Sequence, residues 1–424
     1  MKLLINKSLV SHSGLAQGLH SQLELTGSKS ETNRLLLLQA LYPNITLENT
    51  SNSDDSAVMI KALNSPFTIN HSQVIDVHHA GTAMRFLTAY FATQENREVI
   101  LTGSTRMKER PIKILVDALR QLGAEITYEA NEGFPPIKIT GKKLTQSKVT
   151  LPANVSSQYI SALLLIAPKL ENGLELTLEG DITSIPYIKM TLALLNEIGV
   201  ETTFKNKIIK VCHAELVEGQ QLIIESDWSS ASYFYSIIAL SPIGTQITLS
   251  SYKQNSLQGD SALVEIYKDF GVKTTFDANR MTLHKADNCQ LSIVNYQLNN
   301  SPDIAQTIAV TAFGLGIGCH LTGLHTLKIK ETDRLEALKT ELTKLGATIS
   351  VTEDSLTLGA QVLPFGKDLG WESIATYQDH RMAMAFAPLA LKIPIIIEDA
   401  EVVSKSFPSF WEDLKSIGFQ IEIV

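Results

Sequence analysis

The chain has 424 residues, 44% of them hydrophobic, with a formal charge of -8 and an isoelectric point near 5.7. This length exceeds what one compact core usually supports, so two domains are expected. The acidic balance excludes a general binder of nucleic acid or membrane surface, which needs a net basic face, so any anionic ligand must be met by a local cluster of cations.

The opening MKLLINKSLV is broken by Asn6 and Lys7 and is too short to be a secretory signal. Residues 27–34, GSKSETNR, stand directly before LLLLQAL. Hydroxyl residues ahead of an apolar run read as a capped helix start. They also read as an anion site, because free amides at a helix N-terminus attract negative charge, and Lys29, Ser30 and Arg34 add an ammonium, a hydroxyl and a guanidinium there. The spacing of a P-loop is missing. HAGTAMR (79–85) is a second such start, ending in Arg85. RMKERP (106–111) crowds cations beside Glu109, with Pro111 preset for a first helical turn; alone, it reads as a solvated helix entry. In SSQYISALLLIAP (156–168), Ser156 reads first as a cap.

Farther along, SPD (301–303) sets Asp303 before IAQTIAVTAFGL, where it suits either a helix cap or a base. The stretch AVTAFGLGIGCHLTGL (309–324) falls short of a membrane span and reads as a buried helix, a turn and a strand. In KIKETDR (328–334), a helix would put Lys330 and Arg334 on one face with Glu331 adjacent. An acid among bases suits proton transfer, because the cations bias its pKa, although an exposed, salt-bridged helix start gives the same pattern. DHRMAM (379–384) and KSFP (405–408) add Arg381 and Lys405. Cys212, Cys289 and Cys319 stand far apart with no CxxC pair, which fits small core residues in a reducing cytosol and neither a disulfide framework nor a zinc site. A soluble, cytoplasmic protein is expected.

One pattern recurs through the chain: an amphipathic helix, a glycine, then an alternating stretch. The copies LVDALRQLGAEITYEA, TLALLNEIGVETTF, LVEIYKDFGVKTTF, LEALKTELTKLGATISV and FWEDLKSIGFQIEIV place Gly123, Gly199, Gly271, Gly346 and Gly418 at intervals of 72 to 76 residues. Glycine suits the left-handed position that ends a helix, and alternation suits a half-buried strand. In the first copy, Ile112, Leu115, Val116, Leu119 and Leu122 share one helical face. A weaker sixth copy, SDDSAVMIKALNSPFTI, has Asn64 at the glycine position, and Asn also tolerates that conformation. Six βα-rich units divided three and three between two lobes use the whole chain, and a site between lobes would draw on distant segments.

Taken in order, GSKSETNR, HAGTAMR, RMKERP, SSQY, SIPY, DWSSASYF, PDIAQT, KETDRL, DHRMAM and KSFP closely resemble the 5-enolpyruvylshikimate-3-phosphate synthase family of enolpyruvyl transferases, over nearly the full chain. The resemblance implies an α/β fold of two lobes, each of three βαβαββ repeats with pseudo-threefold symmetry, an inside-out α/β barrel. It implies an inserted lobe over 27–225, a second lobe from 1–26 plus 226–424, and an active site in the cleft between them. The implied reaction moves the carboxyvinyl group of phosphoenolpyruvate to the 5-hydroxyl of shikimate 3-phosphate, on the route to chorismate and the aromatic amino acids. No metal or organic cofactor is implied, the two small molecules are the only partners, and a monomer is expected. The sister enzyme acting on UDP-N-acetylglucosamine and a catalytically silent phosphometabolite binder are the alternatives.

Carried over by position, the resemblance makes Asp303 the base for the 5-hydroxyl, Glu331 the acid and base at the methylene carbon, and Lys29 a group that reaches both substrates. Shikimate 3-phosphate would meet Lys29, Ser30, Arg34, Ser156, Ser157, Gln158, Ser184, Tyr187, Asp303 and Lys330. Phosphoenolpyruvate would meet Lys29, Gly81, Arg110, Gln158, Arg334, Arg381 and Lys405, with Gly81 acting through its lack of bulk. The chain departs from the family's pattern at His79, where Asn is usual, at Phe86, where proline is usual, at Thr326 and at Trp228, which reads as packing.

Overall fold

The computed structural model describes residues 1–7, 20–66, 72–152, 156–180, 182, 185–215, 219–289, 292–360 and 372–424. They form two compact units, Gly27–Ile224 and Met1–Thr26 with Glu225–Val424. Each unit has its own apolar core, one built around residues such as Leu37, Phe91 and Leu163, the other around Trp228, Phe270 and Phe313.

In the unit Gly27–Ile224, strand Gln73–Asp76 leads through helix Gly81–Ala92 to strand Glu98–Thr102, which pairs parallel to it. Helix Lys113–Gln121 then leads to strands Glu125–Tyr128 and Ile137–Thr140, and the latter closes antiparallel on Glu98–Thr102. The sequence dictates this locally. Alternation along Glu98–Thr102 buries Val99 and Leu101, and the helical stripe Ile112, Leu115, Val116, Leu119 and Leu122 is fully buried behind the sheet. The same order of one parallel and two antiparallel pairings recurs from Lys148–Pro152 to Ile208–Val211. A short parallel pair, Thr46–Glu48 with Gln221–Ile223, joins the two ends of this unit.

The other unit holds three four-stranded sheets with the same pairing order. In two of them the strands are not all consecutive. His20–Leu23 lies parallel to Gln246–Ser250, far along the chain, and the N-terminal strand Leu3–Lys7 inserts between Ile395–Ile397 and Phe419–Ile423. Among the described residues no sheet closes into a barrel, and no helix is long and apolar enough to cross a membrane. The stretch 309–324 is the expected helix, Ala305–Leu315, followed by a left-handed Gly316 and strand Gly318–Thr322.

All five repeat glycines adopt positive φ, between 77° and 102°. Asn64 does not: it ends its helix at φ -87°, so the sixth copy stops without a left-handed residue. The glycines also differ in what surrounds them. A methyl group at Gly199, Gly346 or Gly418 would meet open space, whereas at Gly271 it would lie 2.0 Å from the Asp287 carbonyl oxygen. Gly346→Ala is therefore expected to cost about 1 kcal/mol through its positive φ alone. Gly271→Ala should cost at least about 3 kcal/mol, because a backbone segment must move. Urea unfolding of the two variants measures the difference; equal midpoints would contradict this account.

Candidate active site

In the unit Gly27–Ile224, candidate groups gather at helix N-termini. Helix Lys29–Leu41 begins with Lys29 and Ser30, and the side chain of its N-cap residue, Ser28, makes no capping bond, contrary to the capped start expected from GSKSETNR. Its first amides are left for another acceptor. Helix Gly81–Ala92 likewise has no side-chain cap. Helix Ser157–Ile166 is capped: Ser156 accepts from the Gln158 amide at 3.3 Å, so Ser156 does perform the cap role expected of it. The Gln158 side chain donates to Thr82 Oγ1 at 3.1 Å, tying this helix to the start of Gly81–Ala92.

Arg34 ties together the helices behind these starts. Its Nε donates to Thr191 Oγ1 at 2.8 Å, one terminal nitrogen to Ser161 Oγ at 3.0 Å, and the other to the Ser30 carbonyl at 2.7 Å. The guanidinium carbon lies 5.4 Å from the Phe86 ring centroid and 5.8 Å from that of Tyr187. Arg34 is 2% exposed. It orients Ser30 and Tyr187 from behind. Burial lowers its pKa to about 10, against the opposing influence of Tyr187 and Glu31. Phe86 is fully buried, its ring forming part of this clamp.

Arg110 packs on Gly81: a methyl group at Gly81 would stand 2.7 Å and 3.0 Å from its two terminal nitrogens. Arg85 braces the pair, donating to the Gly81 carbonyl at 3.2 Å and the Pro111 carbonyl at 3.0 Å. Burial, then the charge of Arg110, lowers Arg85 to about 10. His79 precedes this helix start and is partly buried, and Tyr187 sits in the first turn of helix Ile185–Glu197. Ser184 lies outside the described residues.

The other unit holds a dense ionic cluster. Asp303 lies in the short turn Pro302–Ile304, and the helix that follows takes no side-chain cap from it, so the cap reading fails. Instead its Oδ1 meets Arg334 at 2.8 Å and Lys330 at 3.4 Å, and its Oδ2 lies 3.5 Å from Arg381. Burial would raise the Asp303 pKa, but Lys330, Arg381 and Arg334 outweigh it and hold the carboxyl well below its usual range. Arg334, 2% exposed, also meets Glu331 at 2.8 Å and Asp379 at 2.6 Å. Despite burial, the charges of Asp379, Glu331 and Asp303 raise Arg334 above its usual value.

KIKETDR does not form one helix. Asp333 accepts from the amides of Leu335 and Glu336, which fixes the helix start at Arg334 and leaves Lys330 and Glu331 in the preceding loop. Lys330 and Arg334 nevertheless converge on Asp303. Asp379, fully buried, caps helix His380–Phe386 through the Arg381 amide while holding Arg334. The Lys405 ammonium donates to the Gln378 carbonyl at 2.7 Å. Trp228 is packed as expected, edge-on to Tyr252, and also donates to Glu225. Thr326 has a buried hydroxyl with no hydrogen bond among the described residues.

Asp260 is the residue that sequence reading missed. It sits in the 3-10 turn Gly259–Ala262, accepts a hydrogen bond from Ser229, and is pushed up to about 6 by burial and then by the charge of Asp303. QGDSA reads as an ordinary loop, and only the fold brings it to this cluster.

The profile of the EPSP synthase (3-phosphoshikimate 1-carboxyvinyltransferase) family matches residues 47–414. A 3-phosphoshikimate 1-carboxyvinyltransferase of Bacteroides fragilis strain YCH46 is 45% identical over 413 residues, covering 95% of this chain and 96% of the relative. One from Haemophilus influenzae strain Rd is 36% identical over 422 residues, covering 93% and 96%. The fold is that of a solved EPSP synthase from Acinetobacter baumannii, with a TM-score of 0.77, 21% identity and full coverage of both chains. A match over this much of the sequence, joined to the shared fold, means that the chain belongs to the EPSP synthase family.

Proposed function

We propose that the protein transfers the carboxyvinyl group of phosphoenolpyruvate to the 5-hydroxyl of shikimate 3-phosphate and releases inorganic phosphate, as a cytoplasmic monomer on the route to chorismate. The observation that carries this reading is Asp303, a largely buried carboxylate that caps no helix and stands among Lys330, Arg334 and Arg381, with Glu331 held by the same Arg334. The reaction needs a base, a carbon acid and cations around anionic substrates, and this group has all three. Membership of the family supports the choice of substrates.

In the proposed sequence, the 5-hydroxyl oxygen attacks the enol carbon of phosphoenolpyruvate while its proton passes to Asp303. Glu331 delivers a proton to the methylene carbon, giving a tetrahedral phosphate ketal. The ketal collapses as the C-O bond to phosphate breaks, and Glu331 takes a proton back from the methyl group. Asp303 is a weak base while it is held by cations. Substrate anions that draw Lys330 and Arg381 away raise its proton affinity at the moment it is needed.

Lys29, Ser30, Arg34, Ser156, Ser157, Gln158, Ser184, Tyr187, Asp303 and Lys330 are proposed to hold shikimate 3-phosphate. Gly81, Arg110, Gln158, Arg334, Arg381 and Lys405 are assigned to phosphoenolpyruvate, and Lys29 to both substrates.

Phosphate release on mixing the protein with phosphoenolpyruvate tests the function. Release is expected with shikimate 3-phosphate and not with UDP-N-acetylglucosamine. The reverse result would assign the sister activity, and no release from folded protein with either acceptor would leave a silent binder. Glu331→Gln is expected to lower kcat by about 10² to 10⁴ while calorimetry still detects shikimate 3-phosphate binding; near-normal turnover would remove Glu331 from its role. Gly81→Ala should displace the flexible end of Arg110 and leave the fold intact. It is expected to raise the KM for phosphoenolpyruvate about tenfold, the equivalent of about 1.4 kcal/mol, with a change in thermal midpoint of no more than about 4 °C; an unchanged KM would contradict the assignment of Arg110.

A further inference from the structure

Asp260 stands at one end of a continuous chain of polar contacts. The Ser229 hydroxyl donates to its carboxylate, and the same Ser229 oxygen accepts from Arg381 at 3.2 Å. Arg381 also donates to the Asp303 carbonyl at 3.2 Å, and from Asp303 the contacts pass through Arg334 to Glu331 and Asp379. The carboxyls of Asp260, Asp303, Glu331 and Asp379 thus outnumber the cations Lys330, Arg334 and Arg381 by one.

Phosphoenolpyruvate carries a phosphate and a carboxylate. Laid against Arg381, it adds negative charge to a partly buried cluster in which carboxyls already exceed cations, and charges interact several times more strongly there than in water. The least costly relief is a proton. Asp303 is held ionised by three cations, and Asp379 and Glu331 are each paired with Arg334. Asp260, 5% exposed, has a hydroxyl as its hydrogen-bond partner. The charged groups that bear on it are Asp303 from the turn Pro302–Ile304, Arg381 from helix His380–Phe386, and Asp227, the cap of helix Trp228–Leu240 that also carries Ser229.

We propose that Asp260 takes up a proton when phosphoenolpyruvate binds and acts as a positioning residue, holding Ser229, and through it Arg381, toward the anion. The inference rests on the functional reading above. The affinity of Asp260 for a proton, already raised to about 6 in the free protein, rises further once the anion is bound. Binding is then linked to proton uptake and weakens as pH climbs above that value.

The test is the pH dependence of the KM for phosphoenolpyruvate at saturating shikimate 3-phosphate, between pH 6.5 and 8.5. The wild type is expected to show a rise approaching about tenfold per pH unit over part of this window. Asp260→Asn, which keeps the shape and a partner for Ser229, should flatten the rise to less than about twofold across it. Titration of the substrate's own phosphate, near pH ~6, is common to both proteins and cancels in the comparison. Ser229→Ala, which leaves Asp260 ionisable, should raise KM at every pH and keep the slope. A flat wild-type profile, or an Asp260→Asn slope equal to the wild type's, overturns the inference. If Asp260→Asn does not fold, the wild-type and Ser229→Ala profiles decide, and loss of the slope in Ser229→Ala also overturns it. Absence of wild-type turnover would instead overturn the functional reading.

Discussion

The ion pair between Arg334 and Asp379, 2.6 Å long and almost wholly removed from solvent, is the interaction on which the ionic cluster of its unit depends. A buried guanidinium is tolerated only when its donors meet acceptors, and Arg334 meets Asp379, Glu331 and Asp303 through three different nitrogens. The arrangement fixes more than one charge. Asp379 is also the cap of the helix that carries Arg381, so one carboxylate sets the position of both arginines. The ionisation of Asp303 follows from theirs. Removing Arg334 would leave the buried Asp379 carboxylate without its guanidinium, a cost of about 3 to 5 kcal/mol for groups of this kind.

The unit Gly27–Ile224 solves the same problem differently. Arg34 is as deeply buried as Arg334, yet the hydrogen bonds from its guanidinium go to two hydroxyls and a carbonyl, and its faces lie against aromatic rings. The consequence is visible in the direction of the shifts: burial lowers Arg34, while its carboxylates raise Arg334. In the unit Gly27–Ile224 the helices Lys29–Leu41 and Gly81–Ala92 start without side-chain caps, where an anion is attracted. The other sets Arg334 and Arg381 against carboxylates.

How much of this the sequence revealed depended on how local the constraint was. The repeat was legible because a left-handed turn after a helix is a local demand, met by glycine at all five strong copies. Asn64 was misread because Asn permits a left-handed conformation without requiring it. The helix expected across Lys330 and Arg334 failed for a local reason too, since Asp333 competes as a cap and wins. The strand exchange at the N-terminus was not legible at all: Leu3–Lys7 completes a sheet whose other strands lie beyond residue 371, and no local pattern encodes that pairing. Asp260 was hidden for the same reason, because its significance comes from Ser229, Arg381 and Asp303, each on a different element.

These electrostatics bear on why an acidic protein would suit a reaction between two anions. A cluster of bare cations would bind phosphoenolpyruvate tightly, but tight binding of the ground state does not lower the barrier to the chemical step. A cluster whose cations are already held by carboxylates binds the substrate only by exchange. Each substrate oxygen that captures a cation leaves a carboxylate behind with a higher proton affinity. Asp303 begins as a poor base because Lys330, Arg381 and Arg334 surround it. On the proposed assignment, the energy of substrate binding is partly converted into basicity at Asp303, and the base is strongest only when there is a hydroxyl to deprotonate. Asp260 fits the same logic at the other end of the contacts, because a carboxyl bound to a hydroxyl is the one most free to absorb the charge that this exchange displaces.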